Sequence, residues 1–162
     1  MSEKQRYFCA AGAAILLLIA DQLTKHLAVR ALADGTVIRI LPGVLELTLV
    51  YNTGAAFGLG QGGQLLFTGL AFLISAGILI WLYRTVNGAG GLLRQAALVL
   101  ILSGALGNAL DRIRWRYVID FIYIRLIDFP VFNIADICVT VGCALLFLDM
   151  FLWDRTGHGE PG

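Results

Sequence analysis

The sequence predicts an α-helical membrane protein: four transmembrane helices with a small β-element outside the hydrocarbon. Three observations carry that reading. Hydrophobic residues make up 59% of the 162-residue chain and charged residues only 14%, against about 45–50% and about 25% in a soluble domain. The apolar residues gather into four long runs, and the polar residues between them fall into a pattern that alternates along the chain. Mean hydropathy is +0.81. The length suits a single domain over residues 1–162. A net charge of +1 leaves no electrostatic footprint for nucleic acid, and the Lys/Arg clusters of peripheral membrane binding are missing.

A bilayer-spanning helix needs ~20 mostly apolar residues. Four segments qualify: about 7–29, 64–84, 92–110 and 132–153. Inside a bilayer the backbone hydrogen bonds must close within each span, so these are helices. The first resembles a secretory signal peptide in its basic start, Lys4 and Arg6, its apolar core and the Ala31-Leu32-Ala33 that follows. Asp21, Lys25, His26 and Arg30 lie between core and cleavage pattern, where a short uncharged region belongs, so a retained span is expected.

Between the first two spans, Pro42-Gly43 is a turn signal. Period-two alternation on both sides of it predicts a hairpin outside the hydrocarbon. Residues 85–91, TVNGAGG, read as a short flexible loop. In 111–131, Arg112, Arg114 and Arg116 alternate with Ile113, Trp115 and Tyr117, and VIDFIYIRL follows. Extended chain pairing with the hairpin is expected there, an interfacial helix being the rival. The tail after Trp153 reads as short, polar and mobile. Cys9, Cys138 and Cys143 are odd in number, lack C-x-x-C spacing and sit in apolar runs, which predicts buried inert thiols.

Counting faces by parity places Asp21, Lys25, Asn52, Thr53, Gly54, Asn108, Asp111, Arg112, Asp120, Asn133 and Asp136 at one face of the membrane. No Asp or Glu occurs between Glu46 and Asp111. A charged side chain at a helix centre costs roughly 2.5–3.5 kcal/mol on insertion scales, so intramembrane acids usually face a polar cavity or a partner. Each residue also has a structural reading. Asp21 and Lys25 have the i, i+4 acid-first order of a helical ion pair. Asp111 and Arg112 can anchor a helix end. Asn133 and Asp136 have capping-box spacing. Asp120, between Ile119 and Phe121, is harder to explain as a turn residue, and apolar surroundings raise the pKa of such an acid.

Gly58, Gly60 and Gly63 match G-x-G-x-x-G, but no βαβ unit surrounds them, which speaks against dinucleotide binding. His26 and His158 are isolated, so neither a metal cluster nor a base for a cysteine is expected. No serine–lysine pair is evident; Ser103 sits with Gly107 at helix-packing spacing. Paired carboxylates remain. Two aspartates sharing one proton can activate water and polarise a carbonyl without metal or cofactor. A proton relay or small transporter is the rival, but a relay should cross the membrane, and the opposite face carries acids only thinly near helix ends, at Asp149 and Asp154. A non-catalytic scaffold leaves the polar blocks unexplained.

DQLTK at 21–25, NTGAAFG at 52–58, GALGNALDR at 104–112, VIDF at 118–121 and FNIADICVTVG at 132–142, in that order, resemble the lipoprotein signal peptidases, signal peptidase II. The resemblance covers nearly the whole chain; Ser103 is a small departure where glycine is common. It implies a bacterial aspartyl endopeptidase of the plasma (cell inner) membrane. The substrate would be a lipid-modified prolipoprotein, cut just before the diacylglyceryl cysteine. The implied catalytic dyad is Asp120 and Asp136. Asp21, Lys25, Asn52, Gly54, Asn108, Asp111, Arg112, Asn133 and Ala135 match other signature positions. Of these, Asn52, Asn108, Arg112 and Asn133 are expected to bind substrate or dyad, and Asp21–Lys25 to support. Both termini would be cytoplasmic and segments 30–63 and 111–131 extracytoplasmic. No cofactor is implied; membrane lipids are the other partners, and a monomer is expected. In that orientation five cations lie inside (Lys4, Arg6, Arg84, Arg94, Arg155) and seven outside (Lys25, Arg30, Arg39, Arg112, Arg114, Arg116, Arg125), against the positive-inside rule. Residues 53–60, glycine-rich, are expected to form a flap over the pocket.

Overall fold

Three of the four apolar runs become helices longer than the runs that predict them, and the fourth keeps its length but starts two residues later. In the computed structural model, residues 2–54, 64–88 and 91–155 are described, and among them α1 spans Glu3–Leu32, α2 Gln64–Asn87, α3 Leu92–Trp115 and α4 Ile134–Arg155. All four are long and apolar enough to cross a membrane. The extra turns have local causes. Ser2 and Gln5 form a capping box at the start of α1, Gln5 N donating to Ser2 Oγ at 3.3 Å and Ser2 N to Gln5 Oε1 at 2.9 Å. Once a helix is nucleated, each further residue adds one hydrogen bond.

The same continuation corrects two expectations. Thr85–Asn87 belong to α2 rather than to a loop. The Arg112–Trp115 stretch, expected as extended chain, is the last turn of α3. Its alternation spans too few residues to compete with a running helix ladder. Arg116 then ends the helix in the left-handed region at φ 67°, its N–H bonded to Arg112 O at 3.1 Å. The 55–60 part of the expected flap and the tail beyond 155 lie outside the described residues.

α3 is the central helix: 56% of its most apolar window is buried, against 11–28% in the other three. Its contact with α4 and α1 depends on glycine. A Cβ on Gly104 would collide with the Ala135 carbonyl oxygen, and one on Gly107 would lie 2.6 Å from Asp21 Oδ2. Three helices therefore meet where side-chain volume is least. One apolar cluster joins α1, α2 and α3 through Ala10, Ile78, Leu82, Val86, Leu98 and Leu102. The outer faces carry large apolar side chains in the open, Phe8 at 79% and Phe147 at 73% exposure. So continuous an apolar exterior is a lipid-facing surface. Of the cysteines only Cys138 is buried within the protein; Cys9 and Cys143 face outward, because on a spanning helix the outer face is as apolar as the core.

The hairpin forms as expected: β1 (Ile38–Leu41) and β2 (Leu45–Asn52) turn at Gly43, whose φ is 76°. β3 (Val118–Ile124) pairs antiparallel with β2, giving the order β1-β2-β3. Between Leu47 and Val50, β2 gains one residue on β3, a bulge directly before the strand reaches Asp120. Phe132, expected as the first residue of the fourth span, bridges Ile122 instead, with N–H···O distances of 2.8 and 3.0 Å. That bridge ties the entry of α4 to β3. A second apolar cluster, Ala28, Leu32 and Phe121 with Leu47, Leu49, Ile122 and Ile134, seats the sheet on the end of α1.

Candidate active site

The two aspartates singled out from the sequence come together by different routes. Asp120 is on β3, opposite Val50 in the ladder and just past the bulge. Asp136 is in the first turn of α4. The capping box read from Asn133 and Asp136 is present: Asn133 N donates to Asp136 Oδ2 at 3.1 Å, and Asp136 N to Asn133 Oδ1 at 3.0 Å. Capping therefore fixes the Asp136 side chain. The Phe132–Ile122 bridge carries that helix start to the strand bearing Asp120.

Three asparagines hold the carboxylates. Asp120 accepts from Asn52 Nδ2 at 3.0 Å and from Asn133 Nδ2 at 2.6 Å. Asp136 accepts from Asn108 Nδ2 at 2.8 Å. Asn133 is fully buried and also reaches Asn108 Oδ1 at 3.1 Å, so one amide links both acids' partners. Burial, the largest cause, and the neighbouring Asp136 charge push the Asp120 carboxyl up to about 6. They act against the donated bonds of Asn52 and Asn133 and the charge of Lys25.

Behind this pair lies a second layer. Lys25 Nζ contacts Asp21 Oδ2 at 3.0 Å, Asp111 Oδ2 at 2.8 Å and Asn108 Oδ1 at 2.9 Å. Asp21 Oδ1 accepts from Ala135 N at 3.0 Å, and Asp111 Oδ2 from Ile119 N at 3.2 Å. The expected Asp21–Lys25 ion pair is thus part of a triad. Gln22 completes it, donating to Asp21 Oδ2 at 3.1 Å and Asp111 Oδ1 at 2.9 Å. Sequence reasoning assigned Gln22 no role, although its place beside Asp21 in DQLTK was a signal. It also missed Glu46, a buried acid paired with Arg125 at 2.8 Å and Arg39 at 3.6 Å, which braces the sheet.

A cavity of about 960 Å³ opens in front of the pair, lined by Asp120, Asp136, Asn52, Gly54, Asn108 and Arg112 on its polar side. Phe129, Phe132, Val139 and Val141 form its apolar side. Arg112 Nη2 donates to Gly54 O at 3.2 Å, and Gly54 N to Asn52 Oδ1 at 2.9 Å, so the chain leaving β2 is fastened at the cavity edge. Among the described residues no group of three or more His, Cys, Asp or Glu is disposed to hold a metal ion. Every site residue expected from the sequence is in the two layers or the cavity wall, with Ala135 contributing its N–H rather than a side chain.

A family model described as signal peptidase (SPase) II matches residues 13–152. The chain belongs to the signal peptidase II family. The lipoprotein signal peptidase of Symbiobacterium thermophilum is 47% identical over 146 residues, 89% of this chain and 95% of its own. That of Coxiella burnetii strain RSA 331 is 42% identical over 144 residues, 85% and 86% of the two chains. A bacterial membrane enzyme solved by the in meso method at 2.3 Å superposes with a TM-score of 0.84 at 29% identity, covering 95% of this chain and 94% of that one. A second, solved at 1.9 Å, gives 0.77 at 32% identity over 88% and 92%. Family membership implies a peptidase, and four apolar helices with membrane-enzyme neighbours mark a multi-pass membrane protein.

Proposed function

We propose that this signal peptidase II homologue removes signal peptides from bacterial prolipoproteins, cutting N-terminal to the diacylglyceryl cysteine by a two-aspartate mechanism. The observation that carries it is the pair Asp120 and Asp136, the first buried and the second half-buried, both lining one cavity and each held by asparagine amides. With one proton between them, the ionised carboxylate takes a proton from water, whose oxygen attacks the scissile carbonyl carbon. The protonated carboxyl donates to the carbonyl oxygen. Collapse of the tetrahedral diol breaks the C–N bond, and the proton passes to the departing amine. The signal peptide leaves as a carboxylate and the lipidated cysteine as a free N-terminus. The near-neutral position of Asp120 suits a group that must hold and release a proton.

The cavity's setting supports a lipidated substrate. Ile137 and Val141 line it and are 39% and 43% exposed, so the cavity opens along an apolar stretch of α4, a spanning helix. A substrate that is itself a membrane segment enters from the side. The reading places this face outside the plasma membrane and both termini inside. Of the seven cations on the site's side, Lys25, Arg39 and Arg125 pair with acids and Arg112 binds backbone, which blunts the adverse charge count. Tag accessibility of the 111–131 segment in intact cells tests the orientation; protection there would reverse it.

The decisive experiment is Asp120→Asn and Asp136→Asn, each assayed on a diacylglyceryl prolipoprotein. Both are expected to abolish cleavage. Retained cleavage in either would defeat the dyad.

A further inference from the structure

The two active carboxylates are not merely near the Asp21–Lys25–Asp111 triad; each is fastened to it at the same relative position. Asp111 accepts from the backbone N–H of Ile119, the residue directly before Asp120. Asp21 accepts from the backbone N–H of Ala135, the residue directly before Asp136. Lys25 sits between the two acids, and Gln22 donates to both from the other side. We propose that Asp21, Lys25 and Asp111, completed by Gln22, form a positioning clamp that sets the separation of Asp120 and Asp136 by gripping the peptide ahead of each. The proposal rests on the two-aspartate reading and assigns these residues a task that substrate contact cannot explain.

Three features carry it. First, access: Asp21, Lys25 and Asp111 are each 1% exposed and none lines the cavity, so none touches substrate. Second, saturation: Lys25 spends its three donors on Asp21, Asp111 and Asn108, and the bond to Asn108 orients the amide that holds Asp136. Third, connectivity: β3 and the start of α4 are separate elements, and the clamp joins them through Asp111 on α3 and Asp21 on α1. A helix pair needing only cohesion would be served by apolar contacts. Two backbone N–H groups captured at matching positions fix a distance, and catalysis by a shared proton is steep in that distance. Gly107 makes the arrangement possible, since a Cβ there would lie 2.6 Å from Asp21 Oδ2.

The test uses the full-length enzyme in lipid nanodiscs, a diacylglyceryl peptide substrate, and a hydroxyethylene peptide isostere that mimics the tetrahedral diol. Asp21→Asn, Asp111→Asn and Gln22→Met are compared with Asp120→Asn and Asp136→Asn. Expected for the clamp variants are a 10- to 100-fold fall in kcat in the two aspartate variants and a smaller fall in Gln22→Met. KM should stay within about twofold, and the isostere's Ki should rise in step with the loss of kcat/KM. Loss confined to KM would overturn the clamp in favour of a substrate contact. Unfolding of Asp21→Asn and Asp111→Asn with Gln22→Met fully active would overturn it in favour of a scaffold. Full activity in Asp120→Asn or Asp136→Asn would instead sink the dyad reading, whatever the clamp variants do.

Discussion

Arg6 near one end of the helix bundle and Lys25 near the other are both cations brought into an apolar interior, and their surroundings differ in one telling way. Arg6 donates to Gln95 Oε1 at 3.1 Å and to the Thr85 carbonyl at 3.1 Å, while Gln95 Nε2 returns a bond to Arg6 O at 2.9 Å. Nearby, Arg94 pairs with Asp149 at 2.6 Å. These contacts stitch α1, α2, α3 and α4, and the single acid in them meets a cation. At the Lys25 end, four carboxylates, Asp21, Asp111, Asp120 and Asp136, share Lys25 and Arg112. Cohesion does not require that excess of acid. Taking an ion out of water costs several kcal/mol even after relaxation, so an over-supplied acid cluster beside a cavity marks chemistry. The matched one marks assembly.

The comparison breaks first at the dyad. Asp120→Asn or Asp136→Asn should lower turnover by about 10³-fold or more, the range set by positioned acid–base groups, while leaving thermal unfolding near that of the parent. A variant as active as the parent would make the acid excess a structural accident. Next in size is Gly107→Val. Its Cβ intrudes on Asp21 Oδ2, and overpacking of this kind costs typically about 1–3 kcal/mol. Chemical or thermal unfolding in nanodiscs should show that loss together with at least tenfold lower kcat. Loss of stability alone would mean that the helix contact tolerates a shifted Asp21.

A third prediction concerns pH. The Asp120 carboxyl stands near 6 against an ordinary 3.8. Raised in the folded state, it favours folding below about 3.8, and that contribution fades as pH rises through about 6. On the proposed two-aspartate mechanism the pair needs its shared proton, so kcat/KM should fall on the alkaline side with an apparent pKa near this value. Asn52 stabilises the charged form. Asn52→Leu should therefore move that limb upward by about one unit, since a bond to a charged group is worth roughly 1.5–3 kcal/mol and one unit is about 1.4. A pH–rate profile with the limb unmoved would remove Asp120 from the proton-carrying role. The smallest effect on activity belongs to the other end of the bundle. Arg94→Met strands the largely buried Asp149 and should cost stability, about 3 kcal/mol, but leave kcat and KM unchanged. A catalytic defect there would erase the distinction between the two ends.

Much of this was legible in the chain. Hydropathy determined four spans, because a bilayer demands long apolar helices whatever they pack against. Parity put the acids at one end, and the capping-box spacing of Asn133 and Asp136 fixed a carboxylate locally. The five polar blocks named the family and hold the acids, asparagines and arginine of the cavity wall. Helix ends were misplaced at Thr85–Asn87 and Arg112–Trp115, where a running hydrogen-bond ladder outweighs short-range pattern. What only the tertiary structure decided is which backbone atoms the supporting acids hold. The Asp111 bond to Ile119 N spans eight positions and the Asp21 bond to Ala135 N spans 114. Asp21 and Lys25 could read as a self-contained ion pair because their i, i+4 spacing lies on one helix. Their reach to β3 and α4 exists only once Gly104 and Gly107 let α3 lie against its neighbours. Local spacing encodes local geometry, and the separation of two carboxylates on different elements is a property of packing.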